Sequence, residues 1–285
     1  MVVASCKVGN SGSFIDAGNG SAKDATSAID GSSVDGGVGS TGCVDGTGLS
    51  EGEHQLTVAG MERRYLLYLP TEYSRDREWP LVFALHPNGN SAAYWDSTAG
   101  DRNIRGQVAD EAILVIAEAI GGNWRDYNQP QSSWPARLEI ELDYFDQVLA
   151  EVSTNLCLNE NRIFSVGFSG GGSFSGVLGC RRDYIRAFAG GGSVIYFDSA
   201  DCVQAPAAWV TIGELERVPA REAFRNFFRD GAGCSATSTP IEPSPCVAYD
   251  GCATATPVVY CEHPGDHIWP NFGTTASWAF LKQFN

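Results

Sequence analysis

The stretch RIFSVGFSGGGSFSG, residues 162–176, changes at its middle from a strand-like to a helix-like sequence. The first half is apolar enough for a buried strand, and the second half, rich in glycine and serine, begins a helix-like run that ends at Cys180. Ser169 stands at the change, and residues 167–171 match the pattern G-x-S-x-G. Between a strand and a helix, this pattern predicts a tight turn that lifts the serine hydroxyl above the edge of a sheet.

The alternative is a glycine-rich turn that needs only small residues, with an incidental serine at position 169. A phosphate-binding loop is disfavoured because no Lys-Ser or Lys-Thr pair follows the glycines. The strand-to-helix context favours a nucleophilic serine.

Strands and helices alternate on both sides of this turn. Nearly continuous apolar runs at 80–86, 112–119 and 207–213 are typical of parallel strands buried on both faces. Residues 137–156 instead repeat apolar positions at helical spacing. This alternation predicts an α/β fold with a mostly parallel central sheet flanked by helices, and the serine turn makes it an α/β-hydrolase fold.

Composition limits the class of protein. The 285 residues are 43% hydrophobic, enough for a sizeable core, and their formal net charge is −15. That charge argues against nucleic acid and anionic membrane surfaces as partners, because basic residues supply the affinity for both. It favours a neutral substrate over an acidic polymer. We expect a monomer that needs neither a metal ion nor another cofactor.

Nine cysteines are spread along the chain, and none forms a C-x-x-C pair. This spacing argues against zinc and thioredoxin-like sites and favours disulfides, hence an oxidising compartment. Cys6 follows Val3, Ala4 and Ser5, a small-residue tripeptide like that before the lipidated cysteine of bacterial lipoproteins; the alternative is a chance match. We expect a secreted or outer-surface protein with a lipid anchor at Cys6 and an incomplete signal sequence.

The chain divides into two regions. Residues 1–48 consist largely of Gly, Ser, Asp, Ala and Thr and cannot bury enough apolar surface to offset the entropy of ordering. We interpret them as a flexible tether. Residues 49–285 are expected to form the α/β-hydrolase domain.

A serine nucleophile needs a base, and in this fold the chain order is serine, acid, histidine. Only His263 and His267 follow Ser169, and we predict His267 because His263 is close enough to the preceding strand to belong to it. The acid is expected after the strand at 207–213, where Glu214 and Glu216 are the candidates. A carboxylate there would orient the imidazole and stabilise its protonated form.

Two backbone N–H groups are expected to stabilise a tetrahedral oxyanion. The Gly170 N–H lies at the start of the predicted helix, directly after the serine. The second donor should follow the strand at 80–86, where Pro87 has no N–H, so we choose Asn88, with Gly89 or another neighbour as the alternative. His86 is interpreted as an organiser of this loop.

Together these motifs resemble the feruloyl and acetylxylan esterases of carbohydrate esterase family one, and the related secreted polyhydroxybutyrate depolymerases. The resemblance covers roughly residues 42–285. The matching segments are RRYLLYLPTEY (63–73), PLVFALH (80–86), LDYFDQVLAEVSTNLCLNENRIFSVGFSGGG (142–172) and VVYCEHPGDHIWP (258–270). This resemblance implies an α/β-hydrolase fold and a serine esterase mechanism. It also implies that His267 is the catalytic histidine and that Cys157 and Cys180 form a disulfide.

The chain departs from the family pattern in three segments. The family usually has His-Gly-Thr-x-Asp, which supplies the acid as aspartate, whereas IGELERVP (212–219) has Ile212 at that histidine and Glu216 at that aspartate. Pro87 replaces a glycine after Leu-His, and Asp266 replaces the glycine before His267. These departures keep open a non-catalytic relative that binds polysaccharide.

The sequence and the resemblance predict an extracellular serine esterase with a Ser169–Glu216–His267 triad. The expected substrates are feruloyl or acetyl esters of plant cell-wall polysaccharide, and the alternative is a polyhydroxyalkanoate. Aromatic side chains in loops near the motifs can stack on sugar or ferulate rings, although each is also a candidate for ordinary packing. The residues chosen for this role are Trp95, Trp124, Trp134 and Trp269, with Tyr127 beside them.

Overall fold

A computed structural model describes residues 39–284. The expected lipid anchor at Cys6 and most of the expected tether lie outside this range. Residues 39–48, which the sequence assigned to the tether, pack on the domain: Ser40 Oγ donates to Leu156 O at 2.8 Å, and Cys43 forms a disulfide with Cys157. The folded part therefore includes residues 39–48, because a cysteine and a small hydroxyl residue fix a segment of otherwise tether-like composition.

Ten strands and five α-helices follow each other along the described chain. They are β1 (Gly52–Val58), β2 (Met61–Tyr68), β3 (Trp79–Leu85), α1 (Ile104–Val108), β4 (Ile113–Ala117), α2 (Trp134–Asn155), β5 (Leu158–Phe168), α3 (Gly170–Arg181), β6 (Ile185–Gly191), β7 (Ala207–Gly213), α4 (Pro219–Gly231), β8 (Ser238–Pro240), β9 (Cys246–Tyr249), β10 (Val258–His263) and α5 (Gly273–Leu281).

All ten strands form one sheet in the order β1-β2-β4-β3-β5-β6-β7-β10-β9-β8. The six central strands, from β4 to β10, are parallel to one another, and the two outer strands at each end pair antiparallel with their neighbours. This is the predicted mostly parallel sheet, and its parallel strands all end at one edge.

Burial explains why the central strands read as unbroken apolar runs. Every residue of β3, β4 and β7 is buried, as expected when helices cover both faces of a parallel sheet. On one face α2, α3 and α4 pack with aromatic side chains such as Phe145, Phe174 and Phe228. On the other face α1 and α5 pack around Trp209 and Trp278. Each large apolar side chain buried in this way contributes about 1.5–3 kcal/mol.

Four disulfides connect the eight cysteines of the described chain: Cys43–Cys157, Cys180–Cys202, Cys234–Cys252 and Cys246–Cys261. The bridge between Cys157 and Cys180 that the family resemblance implied is therefore wrong. Cys157 faces the packed segment 39–48, and Cys180 faces the loop before β7, where its carbonyl accepts the Val203 N–H at 2.8 Å. Each of these two cysteines is therefore bonded to a cysteine of the segment that packs next to it.

No helix within residues 39–284 is long and apolar enough to cross a membrane. Within the same residues, no group of three or more His, Cys, Asp and Glu side chains is arranged to hold a metal ion.

Candidate active site

The turn between β5 and α3 holds Ser169 in an unusual backbone conformation. Its φ of 55° and ψ of −118° lie where residues other than glycine are rare, so the surrounding structure must enforce them. The Ser169 N–H donates to Gly191 O at 2.7 Å, and its carbonyl accepts the Ser173 N–H at 2.9 Å. A Cβ at Gly171 would collide with the carbonyl of Leu85 in β3, so the close approach of turn and strand requires glycine there.

Ser169, His267 and Glu216 lie in one continuous line of contacts. Ser169 Oγ is 2.8 Å from His267 Nε2, and His267 Nδ1 contacts Glu216 Oε2. The topology brings them together, because β5, β7 and β10 end at the same edge of the sheet and β7 pairs directly with β10. The three residues that the sequence selected are thus neighbours in space.

Glu216 is almost fully buried, and both carboxylate oxygens have partners. Oε1 accepts the Gly213 N–H at 3.2 Å, and Oε2 accepts from Arg221 Nε at 2.7 Å. Burial alone would raise the pKa of the Glu216 carboxyl, but the hydrogen bonds from His267 and Gly213 and the Arg221 charge outweigh it. The pKa therefore lies below its ordinary value, and the group is an anion at neutral pH.

The two residues held as alternatives have other surroundings. Glu214 is exposed and pairs with no other described residue. His263 is the last residue of β10, is buried, and accepts the Gly265 N–H on Nδ1 at 3.2 Å. Desolvation lowers the pKa of His263, so it packs as a neutral ring beneath the loop that carries His267.

Arg221 is a site residue that the sequence did not single out. It lies in the first turn of α4, and its terminal nitrogen is 2.9 Å from His267 Nδ1, the atom that also contacts Glu216. A protonated Nδ1 can donate to Glu216, whereas a hydrogen bond from Arg221 would need a bare Nδ1, so one tautomer cannot make both. Only the first tautomer leaves Nε2 free to accept a proton from Ser169. No motif marks Arg221, because its role follows from where α4 begins.

Two backbone N–H groups lie free next to Ser169. Gly170 is the first residue of α3, and neither its N–H nor that of Asn88 donates to an acceptor within the described chain. The alternative donor, Gly89, is already bonded to Gly122 O at 2.8 Å. The loop after β3 therefore offers Asn88, the residue chosen from the sequence, as a free donor, and its role at an oxyanion stays a prediction.

The Asn88 side chain fixes this loop against the serine turn. Its Oδ1 accepts the Trp124 N–H at 3.0 Å, and its Nδ2 donates to Tyr196 Oη at 3.0 Å and also contacts Tyr127 Oη. The amide lies so close to Gly170 that a Cβ there would collide with it. Asn88 thus ties the two predicted oxyanion donors to one rigid frame.

His86 organises the same loop from below. Its Nδ1 lies 2.7 Å from Pro87 O and its Nε2 accepts the Ala119 N–H at 3.2 Å, which assigns the proton to Nδ1. Desolvation lowers the pKa of this buried ring. A neutral His86 therefore links the loop after β3 to the loop after β4.

The prediction that three tryptophans bind substrate is wrong. Trp95 and Trp124 are 0% exposed and Trp269 is 5% exposed. Their indole N–H groups donate to Leu85 O, His86 O and Thr274 Oγ1 at 2.7, 2.7 and 3.0 Å. The loops that carry them fold back over the apolar sheet edge, so these rings support the site from beneath.

Trp134 and Tyr127 do reach the surface beside the site. Trp134 lines a groove of about 520 Å³ with Ile195, Tyr196, Phe197 and Phe227. Tyr127 is 48% exposed, and its hydroxyl meets that of Tyr196 next to Asn88. Tyr196 has no motif around it, so the sequence did not reveal it as a site residue.

Comparison with known proteins gives a consistent set of relatives. No family model matches the chain. It is 28% identical over 279 residues to feruloyl esterase D of Neurospora crassa, an alignment that covers 86% of this chain and 91% of the relative. It is 26% identical over 149 residues to a probable feruloyl esterase C of Aspergillus niger, covering 51% of this chain and 50% of that protein.

Solved structures show the same likeness in fold. A ferulic acid esterase aligns with a TM-score of 0.55 at 15% identity, covering 82% of this chain and 96% of its own. A ferulic acid esterase of carbohydrate esterase family one from Anaeromyces mucronatus aligns with a TM-score of 0.53 at 14% identity, covering 82% and 90%. At such identities the likeness speaks for the α/β-hydrolase fold alone. Together with the sequence relatives, it confirms the resemblance of this chain to the feruloyl esterases.

Proposed function

We propose that this protein is a serine carboxylic-ester hydrolase that acts on feruloyl or acetyl esters of plant cell-wall polysaccharide. The observation that carries the proposal is the line of contacts from Ser169 Oγ through both nitrogens of His267 to the buried carboxylate of Glu216. A serine hydroxyl is a weak nucleophile until a neighbouring base can take its proton, and this arrangement supplies that base.

The geometry supports a two-step mechanism. Ser169 Oγ attacks the ester carbonyl while His267 Nε2 takes its proton, and Glu216 stabilises the imidazolium that forms. The N–H groups of Gly170 and Asn88 stabilise the oxyanion. The tetrahedral intermediate collapses, His267 returns the proton to the leaving alcohol, and an acyl-Ser169 ester remains. Water then attacks this ester by the same route and releases the acid and the free serine.

The departures from the family pattern are accommodated in ways that favour catalysis over a purely binding role. Glu216 is longer than aspartate, but Arg221 and the Gly213 N–H hold its two oxygens. Pro87 lacks an N–H, but the Asn88 N–H is free for the oxyanion. Asp266 is exposed and leaves the contact between His267 and Ser169 intact.

The surface beside Ser169 supports an aromatic acyl group. The groove lined by Trp134, Tyr196 and Phe227 starts at Tyr196, which hydrogen-bonds Asn88 next to Gly170. Aromatic side chains favour a ferulate ring through stacking. The relatives whose names specify feruloyl esters point to the same acyl group.

We also propose that the protein works outside the cytoplasm. Every cysteine in the described range forms a disulfide, which an oxidising compartment permits. Anchoring through a lipid at Cys6 stays a prediction from the sequence.

Hydrolysis of p-nitrophenyl acetate and methyl ferulate by the purified chain tests the function. Ser169→Ala should lower kcat by about 10⁴-fold or more on both esters and abolish labelling by a fluorophosphonate probe. Ser153→Ala, on α2 away from the site, is the matched control and should keep full activity. Equal, near-background rates in the parent and in Ser169→Ala, with no labelling of either, would contradict the esterase function and favour the binding role.

A further inference from the structure

Arg125, between β4 and α2, is stacked among three aromatic rings. Its guanidinium carbon lies 3.8 Å from the ring centre of Trp134, 4.3 Å from that of Tyr127 and 4.4 Å from that of Tyr196. Stacking holds the planar group through its faces and leaves its N–H edges available for other partners. The three rings therefore present Arg125 in a fixed orientation.

Those N–H edges have no acceptor within residues 39–284. Arg125 forms no salt bridge or hydrogen bond with another described residue, and its Nε is buried without a partner. Arg77 and Arg102 also stack on one ring each, Trp79 and Tyr94, but both are exposed and solvated, whereas Arg125 is half-buried. A half-buried cation without a counter-ion is costly, and it is unexpected in a chain with 34 acidic and 19 basic residues.

Arg125 faces a polar cavity of about 640 Å³ beside the serine turn. Amide side chains supply much of its lining: Asn88, Asn123, Asn128 and Gln129. Asp126 is the acidic residue of this lining, and its half-exposed carboxylate is 3.5 Å from Nε of the buried Arg137. The cavity thus combines hydrogen-bonding amides, suited to sugar hydroxyls, with one cation that has no acidic partner.

The cavity lies where the alcohol part of a bound ester can reach it. Asn88 lines the cavity and Tyr196 lines the aromatic groove, and the hydrogen bond of 3.0 Å between these two side chains makes the two spaces neighbours. If the acyl group occupies the groove, the alcohol part of the ester is directed toward the amides. The net charge of −15 opposes a dense polyanion, yet a Debye length of about 8 Å limits its influence on one carboxylate in contact with a guanidinium.

We propose that this cavity binds the sugar part of the substrate and that Arg125 binds a carboxylate on it, so that the enzyme prefers esters on uronate-bearing polysaccharide. This inference rests on the proposed esterase function, because it takes Ser169 as the reacting atom. The planar guanidinium can pair with both oxygens of a uronate carboxylate, and the amides bind hydroxyls of the same or the next sugar.

A binding experiment on the Ser169→Ala chain tests the subsite without turnover. NMR titration with methyl glucuronide and with methyl glucoside compares two sugars that differ in the carboxylate. We expect the glucuronide to bind about tenfold more tightly at low salt, because a hydrogen-bonded charge pair adds an interaction that the glucoside lacks. Equal binding of the two sugars, or no measurable binding of the glucuronide, would overturn the proposal.

Two variants assign the preference to one side chain. In Arg125→Gln the tenfold preference should vanish, whereas Arg77→Gln, which removes an equal charge stacked on Trp79 at the start of β3, should keep it. Thermal midpoints check that both variants fold. A preference that survives Arg125→Gln would place the carboxylate elsewhere and refute the assignment.

Acetate is titrated in parallel, since it has a carboxylate but no sugar. Acetate binding that depends on Arg125 and is as tight as that of the glucuronide would mean a site for the released acid, against our assignment. Esterase activity is measured separately on the parent chain. A glucuronide preference without turnover would refute the esterase and leave the subsite, whereas turnover without the preference would refute only the subsite.

Discussion

Glu216 differs from the aspartate usual at its position by one methylene group, and Arg221 offsets that difference. A longer carboxylate has an additional rotatable bond, so it needs more partners to hold one orientation. The Gly213 N–H takes one oxygen, and Arg221 Nε shares the other with His267. Arg221 therefore acts as a positioning residue, while its charge also lies next to the imidazole.

Replacing Arg221 should reduce turnover rather than substrate binding. We expect Arg221→Gln to lower kcat on methyl ferulate by about tenfold or more, with KM changed less than about twofold, because a hydrogen bond to a charged group is lost at the triad. The acidic limb of the kcat/KM profile should move to higher pH, since the Arg221 charge helps to hold the pKa of the Glu216 carboxyl below its ordinary value. Steady-state kinetics from pH 4 to 9 measures both.

Arg217→Gln is the matched control for this prediction. Arg217 lies in the same loop and carries the same charge, but it is exposed and pairs with Glu262 at 2.9 Å. His263 is the other buried titratable group close to Glu216, and neither substitution removes a partner of its ring. Kinetics of Arg221→Gln that match those of Arg217→Gln would mean that Arg221 has no part in positioning.

The contact between Gly170 and Asn88 can be tested by a double-mutant cycle. Gly170→Ala should lower kcat by about tenfold or more, because the new methyl group displaces the Asn88 amide and with it the second oxyanion donor. In an Asn88→Ala background the same substitution should cost much less, since the colliding amide is gone. Kinetics of the four chains gives the coupling, and additive losses would contradict this origin.

Buried histidines should make stability depend on pH. The pKa values of His86 and His263 lie below their ordinary value of 6.5, so the unfolded chain binds protons more readily than the native chain. Their contribution to stability is therefore complete above about pH 6.5 and is lost as the pH falls through their native pKa values. Thermal midpoints should drop between pH 7.5 and pH 5.

His86→Gln should make this drop smaller. Glutamine can accept the Ala119 N–H as His86 Nε2 does, but it does not titrate. His54→Gln, at a half-buried position in β1, is the matched control. An equal drop in all three chains would assign the effect to other groups.

The sequence predicted site residues where a spacing rule exists and missed them where only the fold creates the contact. Ser169 and His267 follow from the serine turn and the chain order, and Glu216 from the family pattern. Arg221 and Tyr196 reach the site because of where α4 begins and how the loop after β6 runs. The buried tryptophans failed as substrate residues because a loop position in sequence does not reveal which face the loop turns to the core.

At the scale of elements, hydrophobic pattern predicted the parallel strands well and the short edge elements poorly. The runs at 80–86, 112–119 and 207–213 became β3, β4 and β7 within two residues at each end. The strands β8 and β9 have three and four residues, and β8 ends in proline, so neither shows a period. Their place at the edge comes from pairing with β10 and from the Cys246–Cys261 disulfide.

Removing the Cys43–Cys157 disulfide should cost more stability than removing Cys234–Cys252. The first closes a loop with a sequence separation of 114 and the second one of 18. Loop-closure entropy predicts losses of about 5 and 3 kcal/mol, respectively. Chemical denaturation of the paired Cys→Ala variants measures the difference in the free energy of unfolding, and equal losses would contradict the entropic account.

Activity should separate from stability in the same variants. Cys157 precedes β5 and lies at the amino end of the strand, opposite the edge that holds Ser169. Under native conditions at 25 °C, the Cys43→Ala, Cys157→Ala chain should therefore keep its kcat on methyl ferulate. A large loss of kcat with an intact fold would mean that the packed segment 39–48 influences the site.

At the scale of the whole molecule, composition predicted disulfides but not which cysteines they join. Nine cysteines without a metal spacing indicated disulfides, and four occur in the described chain. Eight cysteines allow about 105 pairings, and only the folded positions select one. The resemblance named Cys157 and Cys180 as partners because they bracket the serine turn, yet each lies closer to a cysteine from another segment.

The four disulfides predict how many free thiols the full chain has. Four disulfides use eight cysteines and the chain has nine, which leaves Cys6. Denatured without reductant, protein made in an oxidising compartment should react with one equivalent of a thiol reagent, and with none where a lipid occupies the Cys6 sulfur. Cys6→Ser should abolish the single reactive thiol of the unlipidated chain. Three or more equivalents would contradict the four bridges, because a missing disulfide exposes two further thiols at once.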